Sequence, residues 1–445
     1  MPRVVNFAEN PQKNAFRGWW GEMLIEFSVE NFKSIRERQT ISMVASNYYK
    51  ELLDQNTFEV GGEEKFPRLL KSAVIYGANA SGKSSLVEAM SFLDYMVCFS
   101  SSDKQAGDDV GAIPFRLSSE TRKADSEFEI SFFEEGVRYQ FGFTANSERV
   151  TNEWLFAYPS GHQQKWYQRE YIEESGEYIY TWSKLFQGGR RRTDWKLHTR
   201  PNALFLSAAI QLNNEQLKPA FNWFRRRLAT IDPSTLGARF TIASLDDQKD
   251  DVLNFLSHAD LAITDVRVDK KKFDPTEVPD GMPKVLRDEF IKSMAGKEIA
   301  EPKFFMSSID GEGLIEFEED EMSAGTQALF SFAGPWLDVI KNNRILFVDE
   351  LDSSLHPLIV HQLIKLLHTQ GSKAQVVFTT HDTTVLAQGI LRRDQVWMIE
   401  KDRTLSSVLT PLSDYSVRDD EALEKGYLAG RYGGIPFVKD YDDGK

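Results

Sequence analysis

Three hydrophobic periods divide this chain. From Met23 the segment LIEFSVENF puts Leu24, Ile25, Phe27 and Val29 in a first strand, followed by Asn31-Phe32-Lys33-Ser34-Ile35. A polar connection over 45–69 leads to Ala73-Val74-Ile75-Tyr76, an unbroken apolar run of the kind found in strands buried on both faces. After Lys83 the period lengthens, and Leu86, Ala89, Met90, Leu93 and Met96/Val97 recur at helical spacing. Between about 113 and 182 it shortens to two. EFEISFFEEGVRYQFGFT reads as strand, Glu-Glu-Gly turn, strand, and VTNEWLFAYPSGHQQKWYQRE repeats this around Pro159-Ser160-Gly161. This predicts an antiparallel meander. From about 203 to 300 the pattern is mostly helical, with breaks at Pro233, Pro275, Pro279 and Pro283 and no sustained heptads. Strands then return at Ile345–Val348, Val376–Thr379 and Gln395–Ile399, with a helix from about Pro357. Strands alternating with helices imply an α/β fold with a mainly parallel core sheet, carrying an antiparallel β insertion and a helical insertion.

Composition narrows the class. A chain of 445 residues, 41% hydrophobic and 12% aromatic, has material for one large or two ordinary domains. No apolar run approaches the ~18 residues of a membrane helix. The first 22 residues contain Asn, Glu, Lys and Arg and lack the apolar centre of a secretion signal. The single cysteine, Cys98, excludes an intramolecular disulfide and a Cys-based zinc site, and fits a reducing compartment. A cytoplasmic protein without a membrane partner is expected. The net charge of −14, from 53 basic and 67 acidic residues, argues against coating of DNA by the whole surface. Three basic islands keep nucleic acid open as a partner: Arg190-Arg191-Arg192 with Lys196 and Arg200, Arg225-Arg226-Arg227, and Lys270-Lys271-Lys272. The ordinary reading of each is a solvated face.

The chemistry gathers at strand ends. Gly77-Ala78-Asn79-Ala80-Ser81-Gly82-Lys83-Ser84, with Ser85 after it, matches the phosphate-binding loop G-x-x-x-x-G-K-[ST] between a strand and a helix. The two glycines let successive backbone N–H groups face one concavity at a helix N-terminus. Lys83 would reach the β- and γ-phosphates and Ser84 would offer its hydroxyl to Mg²⁺. A second buried strand, ILFV, delivers Asp349 and Glu350 at its end. Asp349 would hold Mg²⁺ opposite Ser84, and Glu350 would orient and deprotonate the attacking water. Alone, the pair reads as surface carboxylates; beside a phosphate loop it reads as the second half of a site. A third buried strand ends in Thr379-Thr380-His381-Asp382, which suggests that His381 contacts the γ-phosphate.

The ordered set resembles ABC-type ATPases, in the branch of chromosome-maintenance, recombination and OLD-like heads. FSVENFKSI is similar to the opening strand and loop of that branch. GANASGKSS resembles its Walker A motif, FVDELDSSLHP its Walker B and D-loop, MSAGTQ its signature, and TTHD its switch-histidine loop. The tail, SDYSVRDDEALEKGYLAGRYGGIPFV, resembles the end of ATPases from two-gene bacterial anti-phage systems, the abortive-infection L and RloA type with PARIS and Septu ATPases as relatives. The resemblance implies ATP and Mg²⁺ as cofactors and a homodimer in which each ATP lies between two heads, with higher assemblies left open. Ser323, Ala324, Gly325, Thr326 and Gln327 would then meet the ATP held by the opposite chain's Lys83, and Asp352 and Ser353 would cross the same interface. Ala324 departs from the usual Gly or Ser. The Q-loop glutamine stays open among Gln140, Gln164 and Gln211. No nuclease motif is left over, so a separate effector is expected to supply that chemistry.

The expected organisation is an extension over 1–22, an ATPase head over 23–205 and 313–410 that includes the meander 113–182, a helical insertion over 206–312, and a tail over 411–445. The expected function is an ATP-hydrolysing head dimer that gates a separate effector in anti-phage defence. The alternative is a repair or recombination ATPase acting directly on DNA.

Overall fold

The structure is a computed structural model and describes residues 22–60, 66–259, 261–275, 284–387, 389–415 and 422–435, without the side chains of 284–286, 289 and 290. The expected extension lies outside the described residues except for residue 22, as do Pro279, Pro283 and tail residues 416–421 and 436–445.

The chain forms two compact units. The first comprises Met1–Asp232, Val339–Asp352 and Leu363–Lys445; the second comprises Pro233–Asp338 and Ser353–Gln362. Two large sheets, with a short two-stranded pair of Thr57–Phe58 and Leu69–Leu70 beside them, build the first unit. The six-stranded sheet runs Leu228–Ile231, Ile345–Val348, Gln375–Thr379, Ser72–Tyr76, Val396–Lys401 and Ser407–Pro411. All its pairings are parallel except the last. Its three central strands are buried at every position, which explains why their sequences show no alternation. The 21-residue helix Lys83–Asp103 follows directly from the phosphate-loop strand and buries Leu86, Ala89, Met90, Leu93, Met96 and Val97, the periodic positions read from sequence.

The seven-stranded sheet is antiparallel, in the order Glu177–Trp182, Gln164–Ile172, Val150–Tyr158, Val137–Ala145, Ser126–Glu134, Met23–Glu30, Gln39–Ser42. The predicted Glu-Glu-Gly turn is a two-residue hairpin loop with φ of 49° at Glu135 and 75° at Gly136, a twist that suits the flanking strands. The meander is continuous with the opening strand: Met23–Glu30 pairs with Ser126–Glu134 on one side and Gln39–Ser42 on the other. Gln375 joins the opening strand to the parallel sheet. Its fully buried amide accepts from Leu24 N at 2.7 Å and donates to the carbonyls of Leu24 and Leu70, both at 3.1 Å.

The second unit corrects the sequence reading of 206–312 as helical. Helices Arg239–Ser257 and Lys284–Met294 are present, but Ile263–Lys272 and Glu298–Ser307 are ten-residue antiparallel strands that continue into Leu314–Phe317. Their outer faces carry Lys and Glu, so the apolar alternation is diluted and the period of two is hard to see. The unit begins at Pro233, later than the expected 206, because Leu228–Ile231 is an edge strand of the parallel sheet. Helix Ala324–Lys341 contains Pro335. Proline lacks the N–H that would bond Ser331 O, and Thr241 Oγ1 donates to that carbonyl at 3.1 Å while accepting from Gly334 N at 3.0 Å.

Candidate functional site

Three parallel strands of the first unit end side by side, and their connecting loops build one cavity of about 380 Å³. Its lining comprises Ser34, residues Ala78 to Ser85, Glu350 and His381. The phosphate loop therefore meets the second and third candidate segments, which lie some 270 and 300 residues further along the sequence.

The loop's shape follows from its residues. Gly82 sits at φ +111°, and a Cβ there would fall 2.0 Å from Ser407 Oγ and 2.6 Å from Ser34 Oγ, so no side chain fits. Ser407 Oγ donates to Ser81 O at 2.6 Å and lies 2.8 Å from Ser34 Oγ, which in turn lies 2.8 Å from Ser85 Oγ in hydroxyl-to-hydroxyl hydrogen bonds. A relay of serine hydroxyls thus fixes the loop from behind. Lys83 is buried at the start of the helix, and its ammonium donates to Gly77 O at 2.7 Å and Ala78 O at 3.2 Å. Burial lowers its pKa, opposed by the carboxylates of Glu350, Asp349 and Asp352. Ser81 Oγ is buried and bonds no protein atom among the described residues. Ser84 is exposed to the cavity.

Thr379 organises the carboxylates. Its Oγ1 donates to Asp349 Oδ1 at 2.7 Å and accepts from Glu350 N at 2.7 Å. Glu350 takes φ of +55°, an uncommon backbone state for a residue with a side chain, and is exposed where it lines the cavity. Asp352 accepts from His381 N, at 3.2 Å to Oδ2. Of the sequence candidates in this unit, Asn79, Ala80, Ser81, Gly82, Lys83, Ser84, Ser85, Glu350 and His381 line the cavity together. Gly77 contributes its carbonyl, Asp349 bonds through Thr379, and Asp352 holds the His381 backbone. Gln140, Gln164 and Gln211 do not line it. Ser323 to Gln327 and Ser353 belong to the second unit. There Ser323 Oγ accepts from Thr326 N at 3.2 Å, capping helix Ala324–Lys341 at its start.

Sequence reasoning missed Ser34, Ser407 and Thr379. Ser34 and Thr379 stand within the FKSI and TTHD segments, whose pattern assigns them no role of their own, and Ser407, a single hydroxyl outside any motif, carries no sequence signal. The oxygen donors lining the cavity are serine hydroxyls and the Glu350 carboxylate, with the Asp349 carboxylate adjacent in sequence and bonded to Thr379, hard oxygen ligands that suit Mg²⁺ alongside phosphate oxygens. Among the described residues no cluster of three or more His, Cys, Asp or Glu could hold a metal unaided. No described helix is long and apolar enough to cross a membrane.

Strand, glycine loop, buried lysine and helix define a P-loop nucleotide-binding protein of the α/β class. Residues 72–387 match the family described as "AAA domain, putative AbiEii toxin, Type IV TA system". The chain belongs to this family, whose ATPase domain implies nucleotide binding. Two solved structures are similar to it. The SMC head domain from Thermotoga maritima is 13% identical with a TM-score of 0.39, over 87% of this chain and 98% of that one. The SmcHead bound to the C-winged helix domain of ScpA is 13% identical with a TM-score of 0.39, over 90% and 99%. No curated protein matches.

Proposed function

We propose that the chain is an ABC-type head that hydrolyses Mg-ATP as a homodimer and gates a separate effector, a nuclease by class, in bacterial anti-phage defence. The observation that supports it most is the single cavity lined by Lys83, Ser84, Glu350 and His381. In this reading Lys83 and the loop N–H groups clamp the β- and γ-phosphates. Ser84 and Asp349 would hold Mg²⁺, which would supply positive charge against the phosphate oxygens. Glu350 takes the proton of a water whose oxygen bonds the γ-phosphorus while the bridging β–γ oxygen leaves with ADP. His381 donates to the γ-phosphate. Ser323, Ala324, Gly325, Thr326 and Gln327 complete the site of the opposite chain, joined by Asp352 and Ser353. The adjoining cavity of about 410 Å³ shares Ser34 and Ser85 and is lined by Lys33, Phe115, Arg116, Leu117 and Lys401. Its apolar and cationic surfaces suit a purine and a ribose.

The defence assignment rests on the family description and on the tail's resemblance to the ATPases of two-gene systems. Exposed Arg190, Arg191, Arg225 and Arg226 support the alternative of a DNA-repair ATPase. The islands are partly committed elsewhere: Arg227 pairs with Glu22, Lys271 with Glu301, and Arg200 donates to Ser101 O. The test is a pull-down of Glu350→Gln protein with ATP, co-expressed with its neighbouring genes. A stoichiometric partner bearing nuclease motifs is expected. A bare dimer whose wild-type ATPase is stimulated by DNA would favour the repair alternative.

A further inference from the structure

The C-terminal segment 422–435 reaches back under the candidate site. Helix Leu423–Leu428 places the Tyr427 ring 5.5 Å from that of Tyr76, the last residue of the phosphate-loop strand. The Tyr427 hydroxyl donates to Gly434 O at 3.1 Å, which closes residues 427–434 into a loop. Two adjacent glycines let this loop lie flat. A Cβ on Gly433 would fall 2.2 Å from the Glu400 carboxylate, and Gly434 lies against Tyr76 O and the Cα of Gly77. Gly434 N donates to Glu400 Oε2 at 3.4 Å.

Two hydrogen bonds carry this packing to the His381 loop. The fully buried Tyr76 donates its hydroxyl to Asp382 O at 2.9 Å, and Thr383 donates its hydroxyl to Glu424 at 3.1 Å. They fall on the two residues after His381, whose own N–H is held by Asp352. The exposed His381 side chain thus projects from a backbone held on both sides. Burial keeps the Tyr76 phenol well above its ordinary pKa, so it remains a donor across the working pH range.

We infer that Tyr76 is a positioning residue for His381, and that segment 422–435 is the strap that holds Tyr76 and Thr383 in register with the phosphate loop. The inference rests on the proposed role of His381 for its consequence on turnover, but the ordering of the loop stands without it. The strap links the first residue of the phosphate loop to the histidine on the far side of the cavity, so a partner that lifts the tail would slow hydrolysis without touching ATP.

Full-length wild type, Tyr76→Phe and Glu424→Ala are compared in two ways. Hydrogen–deuterium exchange over residues 380–384 should rise about threefold or more in Tyr76→Phe and less in Glu424→Ala, with helix Lys83–Asp103 unchanged as the folding control. In steady-state hydrolysis Tyr76→Phe should lower kcat about fivefold with KM within about twofold. In a His381→Ala background it should cause no further loss, because it acts through the residue already removed. Unchanged exchange in both variants overturns the strap. Losses that multiply in the double variant overturn the action through His381. A wild type that hydrolyses no ATP sinks the proposed function instead, and the exchange result still decides whether the strap orders the loop.

Discussion

The two large sheets of the first unit use charged residues in opposite ways. In the antiparallel sheet Glu153 and Arg169 are wholly buried, 3.8 Å apart, and their bonding is internal. Glu153 accepts from Phe205 N at 2.6 Å, Leu206 N at 2.9 Å and the Tyr167 hydroxyl at 2.8 Å. Arg169 donates to Ala203 O at 2.7 Å and Arg200 O at 3.0 Å. The three central strands of the parallel sheet carry no charged residue, and charge gathers beyond their ends: Lys83 beyond one, Asp349 and Glu350 beyond the next, His381 beyond the third. Glu350 and His381 face an open cavity. A buried pair with its partners inside the fold is costly to break, whereas exposed groups converging on one cavity are free to act on a ligand.

Mutations should separate these roles. The largest expected effect is on turnover: Glu350→Gln should lower kcat by about 10³-fold while nucleotide affinity stays within about threefold, measured by phosphate release and by titration of a fluorescent ATP analogue. Wild-type turnover in this variant would remove Glu350 as the base. Arg169→Met should do the reverse. It strands the Glu153 carboxylate and should cost about 3 kcal/mol of unfolding free energy, read by denaturant titration, while the properly folded fraction keeps its kcat. Thr379→Val keeps shape but removes the hydroxyl joining Asp349 to Glu350 N. It should lower kcat about tenfold with a stability loss of about 1 kcal/mol.

A separate effect is on pH dependence. Burial, aided by the charge of Lys71, drives the pKa of His368 from 6.5 down to about 3. The folded state therefore binds fewer protons than the unfolded one between these values, and stability should fall as pH drops from about 6.5 toward 3. His368→Gln should flatten that slope in melting temperature measured from pH 7 to pH 4. An unaltered slope would place the acid sensitivity elsewhere.

Much of this contrast was legible in the sequence. The apolar runs before Gly77, Asp349 and Thr380 announced buried parallel strands, and the period of two over about 113–182 announced the meander, whose first strand in fact starts at Ser126. The phosphate loop could be read because backbone geometry demands Gly77, Gly82 and Lys83 at fixed spacing. Less visible were features made by distance. Leu228–Ile231 is too short to show a period, yet it forms the edge of the parallel sheet. The strands Ile263–Lys272 and Glu298–Ser307 hid behind their lysines and glutamates. Thr379 and Ser407 act through single hydroxyls that reach residues 29 to 373 positions away, and no local pattern encodes that. Tyr76 read simply as the end of a strand, although its hydroxyl bonds Asp382 306 residues later.

In the proposed dimer one chain's Lys83 works with another chain's Ser323. Mixing two inactive variants, Lys83→Ala and Ser323→Arg, tests it most directly. Random pairing places one intact composite site in about half of the dimers, so the mixture should recover about a quarter of wild-type phosphate release while neither variant alone shows any. A Ser323→Arg protein that hydrolyses ATP normally by itself, or a mixture as inactive as its components despite demonstrated mixed dimers, would contradict the shared site.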